Sequence, residues 1–122
     1  MPVKKILVVD DSPTDRQFML ETLAKKGYQV VTAENGEEGI VKAKSELPDL
    51  ILMDVVMPGQ NGFQATRNLS RDPATQDIPV ILCTTKDQET DKVWGMRQGA
   101  AAYLVKPVQE EELLASIRAL AG

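Results

Sequence analysis

Three acidic residues, a hydroxyl and a lysine stand just past short apolar runs in this 122-residue chain. Ile6 to Val9 leads into Asp10-Asp11, Leu50 to Met53 into Asp54, Val80 to Cys83 into Thr84-Thr85-Lys86, and Ala102 to Val105 into Lys106-Pro107. Apolar runs of this length suit strands buried on both faces of a parallel sheet. Ligands of such sheets bind outside the carboxyl ends of the strands. Strands of one sheet would therefore bring three carboxylates, a threonine hydroxyl and an ammonium to a common edge. Three like charges held together are costly without a cation. Lys106 supplies one positive charge, and a donor set made of hard oxygens favours Mg²⁺ for the rest. Phosphoryl transfer to an aspartate needs such a set. Asp54 would be the nucleophile, the metal would offset charge on the phosphoryl group, and Lys106 and the Thr84 hydroxyl would hold its oxygens.

Each of these residues also has a plainer reading. Asp54 could cap a turn, Asp10-Asp11 before Ser12-Pro13 could cap a helix, Thr84 could be a turn residue and Lys106 a solvated strand end. It is their coincidence at four separate strand ends that argues for a site. The chain has no histidine, so the usual neutral-pH acid/base and commonest metal ligand is absent. Any histidine chemistry must come from another protein. The 18 acidic against 14 basic residues, with no basic cluster longer than a pair, argue against nucleic acid or an anionic membrane as the direct partner. The single Cys83 lies within an apolar run, which fits a buried thiol in a reducing compartment. No apolar run approaches a membrane span or a signal-peptide core, so a cytoplasmic protein is expected.

The elements that must position the site alternate along the chain. After the first strand, Ser12-Pro13 opens a helix with Met19, Leu20, Leu23 and Ala24 on one side, stopping at Gly27. Gln29 to Ala33 is a second strand. Asn35-Gly36 turns into a helix with Ile40, Ala43 and Leu47 inward, closed by Pro48. Asn61 caps a third helix with Phe63, Thr66 and Leu69 inward, and residues 71–77 form a polar connection. A fourth helix spans about 89–98; its apolar positions, Val93 and Met96, are few, so it is expected to be the least firmly packed. The last helix, from about Glu110 to Leu120, turns Leu113, Leu114, Ile117 and Leu120 to one face. Five β-α units imply an α/β fold, a doubly wound five-stranded parallel sheet with helices on both faces. One domain over residues 1–122, with no output domain, is expected.

Val8-Val9-Asp10-Asp11-Ser12, Leu52-Met53-Asp54-Val55-Val56-Met57-Pro58-Gly59, Thr84 and Tyr103-Leu104-Val105-Lys106-Pro107 together resemble the two-component response-regulator receivers, the CheY-like family, over the full length. The resemblance implies a flavodoxin-like strand order 2-1-3-4-5. It implies Asp54 as phosphoacceptor, Asp11 as a direct Mg²⁺ ligand, Asp10 acting through metal-bound water, and a metal contact from the Val56 carbonyl. It implies Thr84 as the switch hydroxyl, Tyr103 as the switch aromatic and Lys106 on the phosphoryl group. Read without the family, Tyr103 is a half-buried core aromatic. In the implied mechanism phosphate draws Thr84 inward, Tyr103 fills the vacated space, and the face of helix 4, strand 5 and helix 5 changes its affinity for a partner. One position departs from the family: Thr85 stands where Ala or Gly is usual. With Lys86, it is expected to limit access to Asp54.

A narrower resemblance is carried by 61–67, 71–75 and 84–95, stretches outside the phosphorylation motifs. They are similar to single-domain regulators of type IV pilus twitching motility. This implies a CheA-like histidine kinase as phosphodonor and a pilus or motility protein downstream, with Trp94 as a candidate contact; the plainer reading of Trp94 is a packing residue. Within receivers, the rivals are a flagellar or chemotaxis regulator, a phosphate sink and a relay intermediate. Outside them, an aspartyl phosphohydrolase needs a second acid two residues after its nucleophile, where this chain has Val56. A dinucleotide-binding domain needs glycines where Asp10-Asp11-Ser12-Pro13 stands. An interaction module with a vestigial site is the remaining alternative.

Overall fold

The structure, a computed structural model, describes residues 2–121. Five parallel strands, β1 (Lys5–Val9), β2 (Gln29–Ala33), β3 (Leu50–Met53), β4 (Val80–Thr84) and β5 (Ala102–Val105), form one sheet in the order β2-β1-β3-β4-β5. The five helices are α1 (Pro13–Ala24), α2 (Gly36–Glu46), α3 (Gly62–Arg71), α4 (Glu89–Arg97) and α5 (Glu110–Ala121). The expected architecture and strand order are both found. The chain reverses its direction of travel across the sheet between β1 and β3, so the loops after these two strands diverge and leave a crevice there.

Alternation along the strands divides the core in two. Leu7, Val9, Ile51, Met53, Val80 and Leu82 face one layer, with Ala43 of α2 and Phe63, Ala65 and Leu69 of α3. Ile6, Val8, Leu50, Leu52, Ile81, Cys83 and Leu104 face the other, with Met19 and Leu23 of α1 and Leu113, Leu114 and Ile117 of α5. Burial on both faces explains why these strands read as continuous apolar runs.

Local chemistry sets the helix ends. Ser12 Oγ accepts from the Asp15 amide, Asn35 Oδ1 from Glu38, and Asn61 and Gln64 satisfy each other's amides in a capping box. At the amino edge of the sheet, Asp49 Oδ2 accepts from the amides of Lys4 and Lys5, each at 2.9 Å, and these bonds hold its carboxyl below the ordinary range.

Several expectations are corrected. Leu47 does not face inward: it is the exposed C-cap of α2, with φ of 46°. The helix must end before Pro48, so its last apolar residue turns to solvent. Ala24 is exposed, and Thr22 is buried on α1 beside Leu23. β1 begins one residue early, at Lys5, which pairs with Gln29 and whose carbonyl accepts from Asp49 N. β4 runs one residue longer because Thr84 pairs with Val105. On α4 both Val93 and Met96 are exposed, and only Gly95 is buried. The weak packing expected of this helix is found, but glycine supplies the contact in place of the two apolar side chains.

Candidate functional site

Asp54 is 7% exposed at the carboxyl end of β3, anchored by its amide to Val9 O at 2.9 Å. Its Oδ1 accepts from the amides of Val55, at 2.7 Å, and Val56, at 3.3 Å. One carboxylate oxygen is thus aimed by the backbone that follows it. That backbone is clamped in turn by α3, because Gly62 N donates to Val55 O at 2.9 Å. A Cβ on Gly62 would lie 2.0 Å from Asp54 O and 2.7 Å from Val55 Cα. Only glycine lets the start of α3 approach the loop after β3 this closely. Met57 is buried and pins the loop, whereas Val56 points to solvent.

Asp10 is also buried. Its Oδ1 accepts from Ser12 N at 2.9 Å, and its Oδ2 from Lys106 Nζ at 2.7 Å. Burial pushes its carboxyl above the ordinary range, and the bonds from Lys106 and Ser12 only partly offset that. Asp11 is exposed beside it. One carboxylate oxygen from each of Asp10, Asp11 and Asp54 lies within 4.8 Å of the other two. The donors are hard oxygens from the ends of β1 and β3, the two strands that flank the crevice. This set fits a divalent cation such as Mg²⁺.

Lys106, just past β5, is tied by its amide to Thr84 O at 2.8 Å. Its ammonium donates to Asp10 at 2.7 Å, Asp15 at 2.8 Å and Asp54 at 3.2 Å. Burial alone would lower its pKa, but the bonds to Asp10 and Asp15 and the charge of Asp54 outweigh this and raise it. It stays fully cationic at neutral pH. Asp15 and Gly62 were not foreseen as part of this site. The position of Asp15 in the first turn of α1 reads as an ordinary partner for the helix dipole. Arg16 was missed too: its Nη1 donates to Asp10 O at 2.8 Å, fixing the start of α1 against the end of β1.

Thr84 lies at the same edge with 0% exposure, but its hydroxyl does not join the acidic cluster. Thr84 Oγ1 accepts from Lys86 N at 3.4 Å. Tyr103 is half-buried against Gly95 of α4, and its hydroxyl donates to Lys86 O at 2.8 Å. Burial, and then the charge of Asp91, push the phenol up to about 12. Both predicted switch residues therefore bond the backbone of Lys86, in the loop between β4 and α4. Thr85 and Lys86 are exposed in that loop, with Lys86 3.8 Å from Asp91. Cys83 is buried one residue before Thr84, and burial pushes its thiol up to about 12, so it is no nucleophile at neutral pH.

The response regulator receiver domain family matches residues 6–118. The chain belongs to that family. This receiver is 61% identical over 119 residues to the protein PilH of Pseudomonas aeruginosa, covering 97% of this chain and 98% of PilH. It is 40% identical to the response regulator PleD of Caulobacter vibrioides over 95% of its own length, but spans only 26% of PleD. Among solved structures, the chemotaxis protein CheY4 of Vibrio cholerae superposes with a TM-score of 0.90 at 35% identity, covering 96% of this chain and 98% of that one. The receiver fold and the likeness to PilH agree with the expectation from motifs. Among the described residues no helix is long and apolar enough to cross a membrane.

Proposed function

We propose that this receiver accepts a phosphoryl group on Asp54 from a CheA-like histidine kinase and, as a stand-alone response regulator, controls a motility pathway, type IV pilus twitching. The observation that carries the acceptor role is the meeting of the Asp10, Asp11 and Asp54 carboxylates with Lys106 Nζ 3.2 Å from Asp54. In this reading Asp54 is the nucleophile: its carboxylate oxygen attacks the phosphorus of a phosphohistidine. An O–P bond forms and the P–N bond breaks, with its electron pair returning to the imidazole. The chain lacks histidine, so the phosphohistidine must be another protein's. Asp10, Asp11, Asp54 and the Val56 carbonyl would hold Mg²⁺, which when bound offsets the charge on the phosphoryl oxygens. Lys106 holds one of those oxygens as a point charge. In the switch, Thr84 turns its hydroxyl from the Lys86 amide toward another, and Tyr103 leaves the Lys86 carbonyl for the space that opens. Because Tyr103 packs on Gly95, its movement reaches α4, and the face of α4, β5 and α5 changes its affinity for a downstream pilus or motility protein. The activity is that of a signalling phosphoacceptor with self-phosphorylation and self-dephosphorylation chemistry, not of an enzyme with turnover on a substrate, and its place is the cytoplasm.

The twitching assignment is supported by the likeness to PilH, which extends through stretches outside the phosphorylation motifs. The likeness to a chemotaxis protein keeps one second reading, a chemotaxis regulator or phosphate sink. Intact mass after incubation with acetyl phosphate and Mg²⁺ tests the acceptor. A Mg²⁺-dependent phosphate adduct is expected on the native chain and none on Asp54→Asn. Absence of an adduct, also with a CheA-like kinase as donor, would sink the assignment and leave a docking module. Binding of the loaded protein to pilus components, against a flagellar switch protein, separates the two pathways.

A further inference from the structure

We propose that Asp15 is a positioning residue that holds Lys106 toward α1 and competes with a phosphoryl group on Asp54 for its ammonium; this rests on Asp54 being the acceptor. A lysine has three N–H donors. Lys106 directs them to three carboxylates, Asp10 after β1 at 2.7 Å, Asp15 on α1 at 2.8 Å and Asp54 after β3 at 3.2 Å. The contact with the acceptor is the longest. Asp15 is not among the three acids whose oxygens lie within 4.8 Å of one another, so completing that cluster is not its task. Its placement is nevertheless built. Its amide is bonded to Ser12 Oγ, and the next residue, Arg16, fastens α1 to the carbonyl of Asp10.

The three carboxylates are not equally easy to release. The side chains of Asp10 and Asp54 are 5% and 9% exposed, whereas that of Asp15 is 42% exposed. A buried carboxylate left without its cation carries a large desolvation penalty, but one at the surface returns to water at little cost. When a phosphoryl group takes one of the Lys106 donors, Asp15 is therefore the partner that yields. The strength of its hold on Lys106 subtracts from the affinity of the loaded site.

Beryllofluoride with Mg²⁺, an anion of phosphoryl size that binds an aspartate, is the probe, with its affinity read by fluorine NMR. Asp15→Asn keeps the shape of the side chain but removes its charge, and should bind the probe about three- to fivefold more tightly, the scale of a half-exposed ion pair. Asp15→Ala should change in the same direction. In ligand-free protein, Asp15→Asn should also shift the Lys106 ε-methylene NMR signals. Glu34→Gln, which removes a charge paired with Arg16 but not with Lys106, should do neither. Equal tightening in Glu34→Gln, or none in Asp15→Asn, would overturn the positioning role while leaving the acceptor intact. No probe binding by the native chain would overturn the acceptor itself, and this role with it.

Discussion

Helices α3 and α4 follow β3, which leads into Asp54, and β4, which ends in Thr84, and they are held in opposite ways. α3 buries Gly62, Phe63, Ala65, Thr66 and Leu69 among its ten residues and starts with a capping box. α4 buries only Gly95 of its nine, and leaves Val93, Trp94 and Met96 about half exposed. The tight helix fixes the backbone that follows Asp54 through Gly62. The loose one touches the sheet through a glycine against Leu82 and Tyr103. In the proposed switch α3 would be the rigid wall and α4 the element that moves, since regions that move in switching come from the weakly packed end of a fold.

The difference should appear first in stability. Phe63→Ala removes a buried ring and is expected to cost about 3–5 kcal/mol in denaturant unfolding, whereas Trp94→Ala, at a side chain 49% exposed, should cost about 1 kcal/mol or less. Comparable losses would mean that α4 is packed as firmly as α3. The two glycines come next. Gly62→Ala sets a methyl against backbone that cannot yield, so about 1–3 kcal/mol and most of the Mg²⁺-dependent adduct on Asp54 should be lost. Gly95→Ala meets Leu82 Cδ1 at 2.7 Å and the Tyr103 ring at 3.1 Å, which are side-chain atoms able to shift. It also gains about 1 kcal/mol of helix propensity, so stability should change little. Its mark should be on the Tyr103 ring, as displaced aromatic NMR signals with the adduct retained.

Much of this was legible in the sequence, and what was not has a common cause. A strand buried on both faces writes itself as an apolar run, so β3 begins and ends where its run does, and the edge strands β2 and β5 also have their expected bounds. The polar residues after those runs located Asp10, Asp11, Asp54 and Lys106 together. Asp15 stayed hidden because its partner arrives 91 residues later, and nothing in Ser12-Pro13-Thr14-Asp15 separates a lysine ligand from a helix-dipole partner. Gly62 gave no signal of its own, since its reason is the approach of Asp54 O, a distance no pattern encodes. Val93 and Met96 show the limit of periodicity: it finds the apolar residues of a short helix, but here the face toward the sheet had to be thin enough for Tyr103, and glycine took it.

The smallest effect bears on that contact most directly. The Tyr103 phenol is pushed up to about 12, first by burial and then by Asp91 on α4, so its raised pKa reports how closely α4 lies on β5. A phenol that holds its proton more tightly in the folded chain adds stability below its unfolded pKa of about 10, and that stability is lost as pH rises from there toward about 12. Tyr103→Phe lacks this contribution at every pH. The native-minus-variant difference in denaturant midpoint, followed from about pH 9 to about pH 11, should therefore shrink as pH rises. Asp91→Asn keeps an oxygen to accept from Gln88 N but loses the charge, so it should weaken the pH dependence without abolishing it, because burial is the larger cause. A flat difference would show that the ring is not held between α4 and the sheet, and α4 could not then be the element that Tyr103 moves.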